Sequence, residues 1–236
     1  MINRIILLDT VDSTNNYAKT LDADDFKAGR VVAAKHQTAG RGTFGKQWLS
    51  PEGGVYMSIT LVAGQSANPA RITLLTACSV CDALTGMFGP GFGIKWPNDI
   101  LLGGKKVCGI LTETVKKDLP GLYLVIGIGI NLALTDGDLQ NPLTQNAGSV
   151  NMHIGEIPCP RRVLEQVLES FDRHYGRFCQ GMDFLTYYKQ KCRTIGKEIY
   201  SSTHKKNGVA VDITESGRLL LEFDDGQREE KLTMDN

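Results

Sequence analysis

The chain has 236 residues, 42% of them apolar and 22% charged, a globular balance that excludes a disordered or fibrous protein. Its 26 lysines and arginines equal its 26 aspartates and glutamates, so no global field draws it to DNA or to an anionic membrane. No apolar run reaches the ~18 residues of a membrane span, and the short apolar start has no cleavage pattern of a signal peptide, so a soluble, cytoplasmic protein is expected.

Residues 4–9 read as a strand and 13–21 as a short helix with Ser13 at its N-cap. A Val- and Ala-rich strand follows at 30–36, a glycine-rich loop at 40–54 and an alternating strand at 55–62. Residues 69–88 predict a helix: Pro69 suits its first position, and Leu74, Cys78, Cys81, Leu84 and Phe88 share one face. Strands are expected near 93–96, 100–102, 106–115 and 122–134, then a polar loop at 140–155. The strongest periodicity lies at 160–178, where Val163, Leu164, Val167, Leu168, Phe171, Tyr175 and Phe178 recur at three and four; a second helix is expected at 183–192. The tail changes character. Short strands at 197–202, 209–214, 219–224 and 227–232 are separated by Lys-Lys-Asn-Gly, Glu-Ser-Gly and Asp-Asp-Gly, which are hairpin signals. They suggest a small barrel-like β appendage.

Six cysteines are too few and too scattered for an oxidised framework in a chain of this length. Cys78 and Cys81 form a C-x-x-C that could serve redox or zinc chemistry, but it has no second C-x-x-C and lies inside an apolar helical pattern, where thiols act as small hydrophobes. No protein-built metal site is expected.

Four segments are unusually polar or glycine-rich for their surroundings. Asp12-Ser-Thr-Asn-Asn16 opens a helix and can be simple capping. Gln37-Thr-Ala-Gly40-Arg41-Gly42-Thr43-Phe44-Gly45-Lys46-Gln47-Trp48 contains a literal G-x-G-x-x-G, but the following Leu-Ser-Pro-Glu-Gly-Gly cannot start the helix that a dinucleotide fold needs. What survives is a loop whose backbone N–H groups can converge on an anion beside Arg41 and Lys46, with Trp48 able to stack on a base. Lys95-Trp-Pro-Asn98-Asp99 faces Lys105-Lys106-Val-Cys-Gly109 across a Gly103-Gly104 turn. That pairing is either a surface ion pair of little value, or an acid for a metal or amine beside a lysine for an oxyanion. Gly127-Ile-Gly129-Ile-Asn131 strips alternate side chains from one face of a strand, through a bulge or to let something lie against the backbone.

Together these segments resemble the biotin–protein ligases. Ser13-Thr14-Asn15, Gln-x-x-Gly-Arg-Gly, Lys-Trp-Pro-Asn-Asp, Gly-x-Lys-x-x-Gly-Ile-Leu and Gly-x-Gly-x-Asn occur in that family's order and spacing. The resemblance implies an α+β fold: a mixed sheet like that of class II aminoacyl-tRNA synthetases with packed helices, over residues 1–190, and an SH3-like β domain over 191–236. It implies a two-step reaction. Biotin and ATP give biotinyl-5′-AMP, and a lysine of a biotin carboxyl carrier domain then takes the biotinyl group. Lys106, Arg41 and Asp99 match the catalytic groups. Ser13, Thr14, Asn15, Gln37, Gly40, Arg41, Gly42, Thr43, Lys106 and Gly109 match the biotin site. Arg41, Lys46, Trp48, Asn98, Asp99, Lys106 and Asn131 match the nucleotide side, with Mg2+ held through few protein ligands.

Two departures follow. Thr43 and Lys46 stand where the family usually carries arginines, so a looser hold on the adenylate is expected. Some relatives carry an N-terminal winged-helix domain; this chain starts at the first catalytic strand, and no sequence-specific DNA binding is expected. Oligomeric state, monomer or homodimer, is left open. The rival readings are a lipoate–protein ligase, which usually shows Arg-Arg and Gly-Gly-Gly segments not found here, and a non-catalytic nucleotide-binding module, which would not need Lys106 with Asp99.

Overall fold

The structure is a computed structural model that describes residues 4–64, 67–118, 120–144 and 146–233; the first three residues of the apolar start and Gln145 of the polar loop lie outside them. Seven strands form one sheet: β1 (Arg4–Val11), β2 (Arg30–Gln37), β3 (Val55–Ala63), β4 (Phe92–Lys95), β5 (Asp99–Leu102), β6 (Lys105–Val115) and β7 (Leu122–Ile130). Their spatial order is β1-β2-β3-β7-β6-β5-β4. β1 and β2 run parallel and the remaining neighbours antiparallel, so the sheet is mixed.

Both faces are covered because alternate residues of the central strands are apolar in both directions. Val31 and Ala33 of β2, with Leu124 and Ile126 of β7, join the main core under α3 (Pro69–Phe88), α6 (Pro160–Cys179) and α7 (Leu185–Lys191). Val32, Tyr123 and Val125 point the other way, onto Ala18 of α1 (Thr14–Thr20) and Phe26 of α2 (Ala23–Lys27). α3 begins where the Asn68 side chain accepts from the Ala70 N–H and Pro69 sets the first turn, and it ends at Gly89 with φ of 84°. It is long and apolar enough to cross a membrane, yet most of it is buried within the protein, between the sheet and α6. Cys78 and Cys81 lie in this core, and burial pushes both thiols above their ordinary range.

The tail forms a second, antiparallel sheet, β8 (Glu198–Ser201), β9 (Lys206–Ile213), β10 (Leu219–Glu222) and β11 (Arg228–Lys231), in the order β11-β10-β9-β8. Its inner residues Ala210, Ile213, Leu219, Leu221 and Phe223 continue the main core. Trp96 stitches the two sheets: its backbone N–H donates to Thr194 Oγ1 at 2.9 Å and its indole N–H to the Gly217 carbonyl at 3.0 Å.

The structure departs from the sequence expectations in five places. The strand expected over 122–134 ends at Ile130. α2 was not expected; five residues carry too little periodicity, but Asp22 caps it by accepting from the Asp25 N–H. The polar stretch expected as loop begins after α4 (Asp136–Leu139), which is fixed by a Thr135/Asp138 capping box, and contains α5 (Asn151–Ile154), which is ended by Gly155. Ser13 occupies the N-cap of α1 in extended conformation, but its hydroxyl makes no capping bond. The Lys-Lys-Asn-Gly separator is mostly strand: the turn lies one step earlier, at 202–205, with Lys205 at φ of 53°. Gly208 is required for packing, since a Cβ there would lie 2.8 Å from the Phe223 ring.

Candidate active site

The site sits where β1 leaves the sheet and α1 begins, above the middle of β3, β7 and β6. Register places the glycines. Gly127 and Gly129 pair regularly with Ser58 and Tyr56 of β3, so no bulge is present; on the other side Gly129 pairs with Gly109 of β6. The missing side chains make room for particular groups. A Cβ on Gly127 would lie 2.2 Å from Asn15 Oδ1, and one on Gly129 2.5 Å from Trp48 Nε1. One on Gly109 would lie 2.8 Å from Trp48 Cζ3. Two paired glycines thus form a bare floor for the Trp48 indole, and a third lets the α1 N-terminus approach the sheet.

The neutral end of the cavity is a chain of polar side chains. Thr14 N–H donates to Gln37 Oε1 at 2.8 Å, and Gln37 Nε2 donates to Ser50 Oγ at 2.8 Å. Ser58 Oγ lies 2.8 Å from Thr14 Oγ1 and 2.6 Å from Asn15 Oδ1. Asn15 Nδ2 donates to Glu113 Oε2 at 2.8 Å. Thr14, Asn15 and Ser58 are all buried, so their pairing offsets the cost of burying a polar wall.

The charged end lies across the Trp48 indole. The Gly103-Gly104 turn joins β5 to β6, and a register shift between Ile100 and Leu101 brings Lys106 and Asp99 to the same face. Lys106 Nζ is 2.6 Å from Asp99 Oδ1 and 5.2 Å from the centre of the Trp48 ring, a cation–π contact. The pair is mostly shielded from solvent, which excludes the weak surface reading of these residues. Asn98 is locked to Ile110 by reciprocal bonds, Nδ2 to the carbonyl at 2.6 Å and N–H to the Asn98 carbonyl at 3.0 Å. Arg41 reaches back from the loop to Glu113 Oε1 at 3.0 Å, where Lys19 also donates at 2.7 Å. These partners hold the Glu113 carboxyl below its ordinary range, against the opposing effect of burial.

Of the residues singled out by sequence, Ser13, Thr14, Asn15, Gln37, Arg41, Gly42, Thr43, Trp48, Asn98, Lys106 and Gly109 line one cavity of about 40 Å³. Gly40 stands behind it, where a Cβ would meet the Trp48 carbonyl at 2.3 Å. Asp99 reaches it through Lys106. Asn131, just past the end of β7, does not line it: its N–H donates to the Val107 carbonyl, its Nδ2 to the Gly148 carbonyl at 3.2 Å, and its Oδ1 is buried with no hydrogen-bond partner. Lys46 is exposed and does not line the cavity. Sequence reasoning missed Glu113, Ser50 and Ser58. The signal for Ser58 was a polar residue in an otherwise buried strand, which is costly unless partnered; Glu113, in the half-exposed end of β6, had none.

A neutral, hydrogen-bonding wall at one end and fixed cations at the other, on a mixed sheet with a glycine floor, define a site for a small polar ring bearing an anionic tail. Residues 7–131 match the model of the biotin/lipoate A/B protein ligase family. The bifunctional ligase/repressor BirA of Bacillus spizizenii is 32% identical over 96% of this chain and 71% of its own length. The biotin–[acetyl-CoA-carboxylase] ligase of Paracoccus denitrificans is 32% identical over 91% of this chain and 92% of its own. Among solved structures, the biotin protein ligase of Aquifex aeolicus in complex with biotin and ATP superposes with a TM-score of 0.85 at 29% identity, covering 98% of this chain and 96% of that one. The chain belongs to the biotin/lipoate A/B protein ligase family.

Proposed function

We propose that the protein is an ATP-dependent biotin–protein ligase. In the first step a biotin carboxylate oxygen attacks the α-phosphorus of ATP, the bond to the β-phosphate oxygen breaks, and biotinyl-5′-AMP and pyrophosphate form. In the second, the amine of a carrier-domain lysine attacks the acyl carbon, the bond to the phosphate oxygen breaks, and AMP leaves as the amide forms; the amine proton is lost.

The observation that carries this reading is the placement of Lys106 and Arg41 around one cavity whose other wall is neutral and buried. Carboxylate and triphosphate repel, and fixed cations in a shielded site offset that repulsion without reorganising. Lys106 serves the carboxylate and α-phosphate, with Arg41 beside it. Ser13, Thr14, Asn15 and Gln37 hold the ureido ring. Gly40, Gly42 and Thr43 line the loop that covers it, and Gly109 clears the floor. Asn98, Asn131, Lys46 and Trp48 serve the nucleotide side. Asp99 holds Lys106 and orients the incoming amine. Among the described residues no three His, Cys, Asp or Glu side chains converge on a point. The Asp99 carboxylate and the unpartnered Asn131 Oδ1 are hard oxygen donors that suit Mg2+, which when bound screens the phosphates.

The macromolecular partner is a biotin carboxyl carrier domain. We place the reaction in the cytoplasm, on a monomer or homodimer with residues 1–190 as the catalytic domain and 191–236 as an SH3-like one, and without DNA or a membrane as partner. Biotin-dependent exchange of pyrophosphate into ATP, followed by mass gain on a carrier lysine, tests the function. Exchange driven by lipoate instead, or no exchange with either acid, overturns it.

A further inference from the structure

Glu113 has no part in the reaction described above, yet it is joined both to the neutral wall, through Asn15, and to the cation Arg41. Its Oε1 accepts from Lys19 and Arg41, and its Oε2 accepts from Asn15. Counting protons along the wall shows what that last bond does. An ionised carboxylate can only accept, so Asn15 must present Nδ2 to Glu113 and Oδ1 to Ser58. Asn15 Oδ1 in turn can only accept, so the single Ser58 proton goes to it. The Thr14 hydroxyl then receives no proton from Ser58 and donates its own, to Ser58 Oγ or to Gln37 Oε1. One charge at the end of the chain therefore fixes the Asn15 amide and the proton that Ser58 gives it.

With a neutral amide at position 113 the direction is no longer fixed. The amide can donate to Asn15 Oδ1, Asn15 can turn and donate to Ser58, Ser58 to Thr14, and Thr14 to Gln37. All partners stay satisfied, so the fold has no reason to object. The face offered to a ligand has changed: an N–H of Asn15 stands where a carbonyl lone pair stood.

We propose that Glu113 is a positioning residue that sets the donor–acceptor polarity of the pocket wall, so that Asn15 Oδ1 accepts an N–H from the ureido ring. This rests on the biotin-ligase reading above. A wall with fixed acceptors selects a ligand that donates, and rejects one that presents a lone pair there. The same carboxylate keeps Arg41 near the wall until a substrate anion replaces it.

The test compares biotin with its two cyclic carbamate isosteres, in which one or the other ureido N–H is replaced by oxygen, in wild type, Glu113→Gln and Ser58→Ala. Ser58→Ala cuts the chain beyond Asn15 while leaving Lys19, Arg41 and Glu113, and with Glu113 the orientation of the Asn15 amide, in place, so it can refute the proposal even if Glu113→Gln does not fold. Wild type is expected to disfavour one isostere by about 100-fold or more in kcat/KM, since a site built to pair an N–H is left with an unmatched acceptor. In Glu113→Gln the biotin KM is expected to rise about tenfold and the isostere gap to shrink below about tenfold, whereas in Ser58→Ala the gap is expected to persist, because Glu113 still fixes the Asn15 amide, and the KM for ATP to change less than about twofold, because no bond to a cation is touched. A purely structural role would move thermal stability and leave the isostere ratio intact in both variants; an intact ratio in folded Glu113→Gln, or a collapsed one in Ser58→Ala, overturns the proposal. Failure of wild type to catalyse biotin-dependent pyrophosphate exchange sinks the functional reading instead, and the two failures are read separately.

Discussion

Replacing Lys106 by alanine separates catalysis from stability at this site. The ammonium lies 2.6 Å from Asp99 Oδ1 and 5.2 Å from the Trp48 ring centre, so the substitution removes an ion pair, a cation–π contact and the cation that faces the reacting carboxylate. Loss of one preorganised donor from a developing anionic transition state costs about 3 kcal/mol, or roughly 150-fold in the adenylation rate. The fold loses less. Asp99 is left with a mostly shielded carboxylate and no cation, a penalty of about 1–2 kcal/mol that lowers the melting temperature by about 2–8 °C. Adding Asp99→Asn removes the stranded charge, so the double variant is expected to regain stability and to regain no adenylation. Single-turnover formation of biotinyl-5′-AMP, followed by quenching and chromatography, reads the first quantity and differential scanning fluorimetry the second. Adenylation within about fivefold of wild type, where a loss of ~3 kcal/mol is expected, would refute the role given to Lys106.

Thr43 lines the cavity without a charge, and Thr43→Arg is expected to slow release of the adenylate by about tenfold, the value of one charge-assisted hydrogen bond; equal release rates discard the idea. Gly129→Ala is expected to push the Trp48 indole off its floor, raising the biotin KM by about tenfold with the fold intact, since the new Cβ would lie 2.5 Å from Trp48 Nε1. Tryptophan emission checks this directly, because the other indole, Trp96, is buried elsewhere, and an unchanged spectrum contradicts it. His174 of α6 is held below its ordinary pKa, chiefly by burial, against the pull of Asp82 at 3.3 Å. The folded state therefore binds its proton less readily than the unfolded chain, and stability is retained above the ordinary histidine range and lost as pH falls through it toward the lowered value. His174→Gln is expected to flatten that part of the stability–pH curve; an unchanged slope removes His174 from the account.

The fold was legible wherever a pattern was long. Val163 to Phe178 recur over more than four turns and α6 follows them; the strands expected at 55–62 and 122–134 carry apolar alternation or runs and appear as β3 and, ending at Ile130, β7. Short elements were invisible for the converse reason. α2, α4 and α5 have five, four and four residues, so no period can repeat; side-chain caps at Asp22 and Thr135 define the first two and a left-handed Gly155 ends the third. Gly208 misled because glycine has two uses. The same residue type that permits a turn also permits a ring to pack on backbone, and only the Phe223 contact decides between them.

The site divides along the same physical line. Residues whose chemistry is carried by type and local spacing were readable: the Gly127 and Gly129 alternation, the Lys106 and Asp99 hairpin, the Ser13-Thr14-Asn15 helix start. Residues whose part depends on a partner distant in the chain were not. Glu113 meets Asn15 at a separation of 98 residues and Arg41 at 72, and Ser58 meets Asn15 at 43. Nothing beside Glu113 in β6 announces those meetings, because a strand with alternating polar residues reads as half-exposed whichever way its polar face points. What the sequence does contain is the cost. Ser58 is fully buried in the middle of β3, between Met57 and Ile59, and a hydroxyl buried there without a partner would cost about 1–3 kcal/mol. A buried strand that keeps such a residue must provide the partner, and the glycine at 127, which pairs with Ser58 across the strands, is where the space for that partner is made. The two anomalies were each readable and only together point to Asn15; register supplies the link that single-strand periodicity cannot.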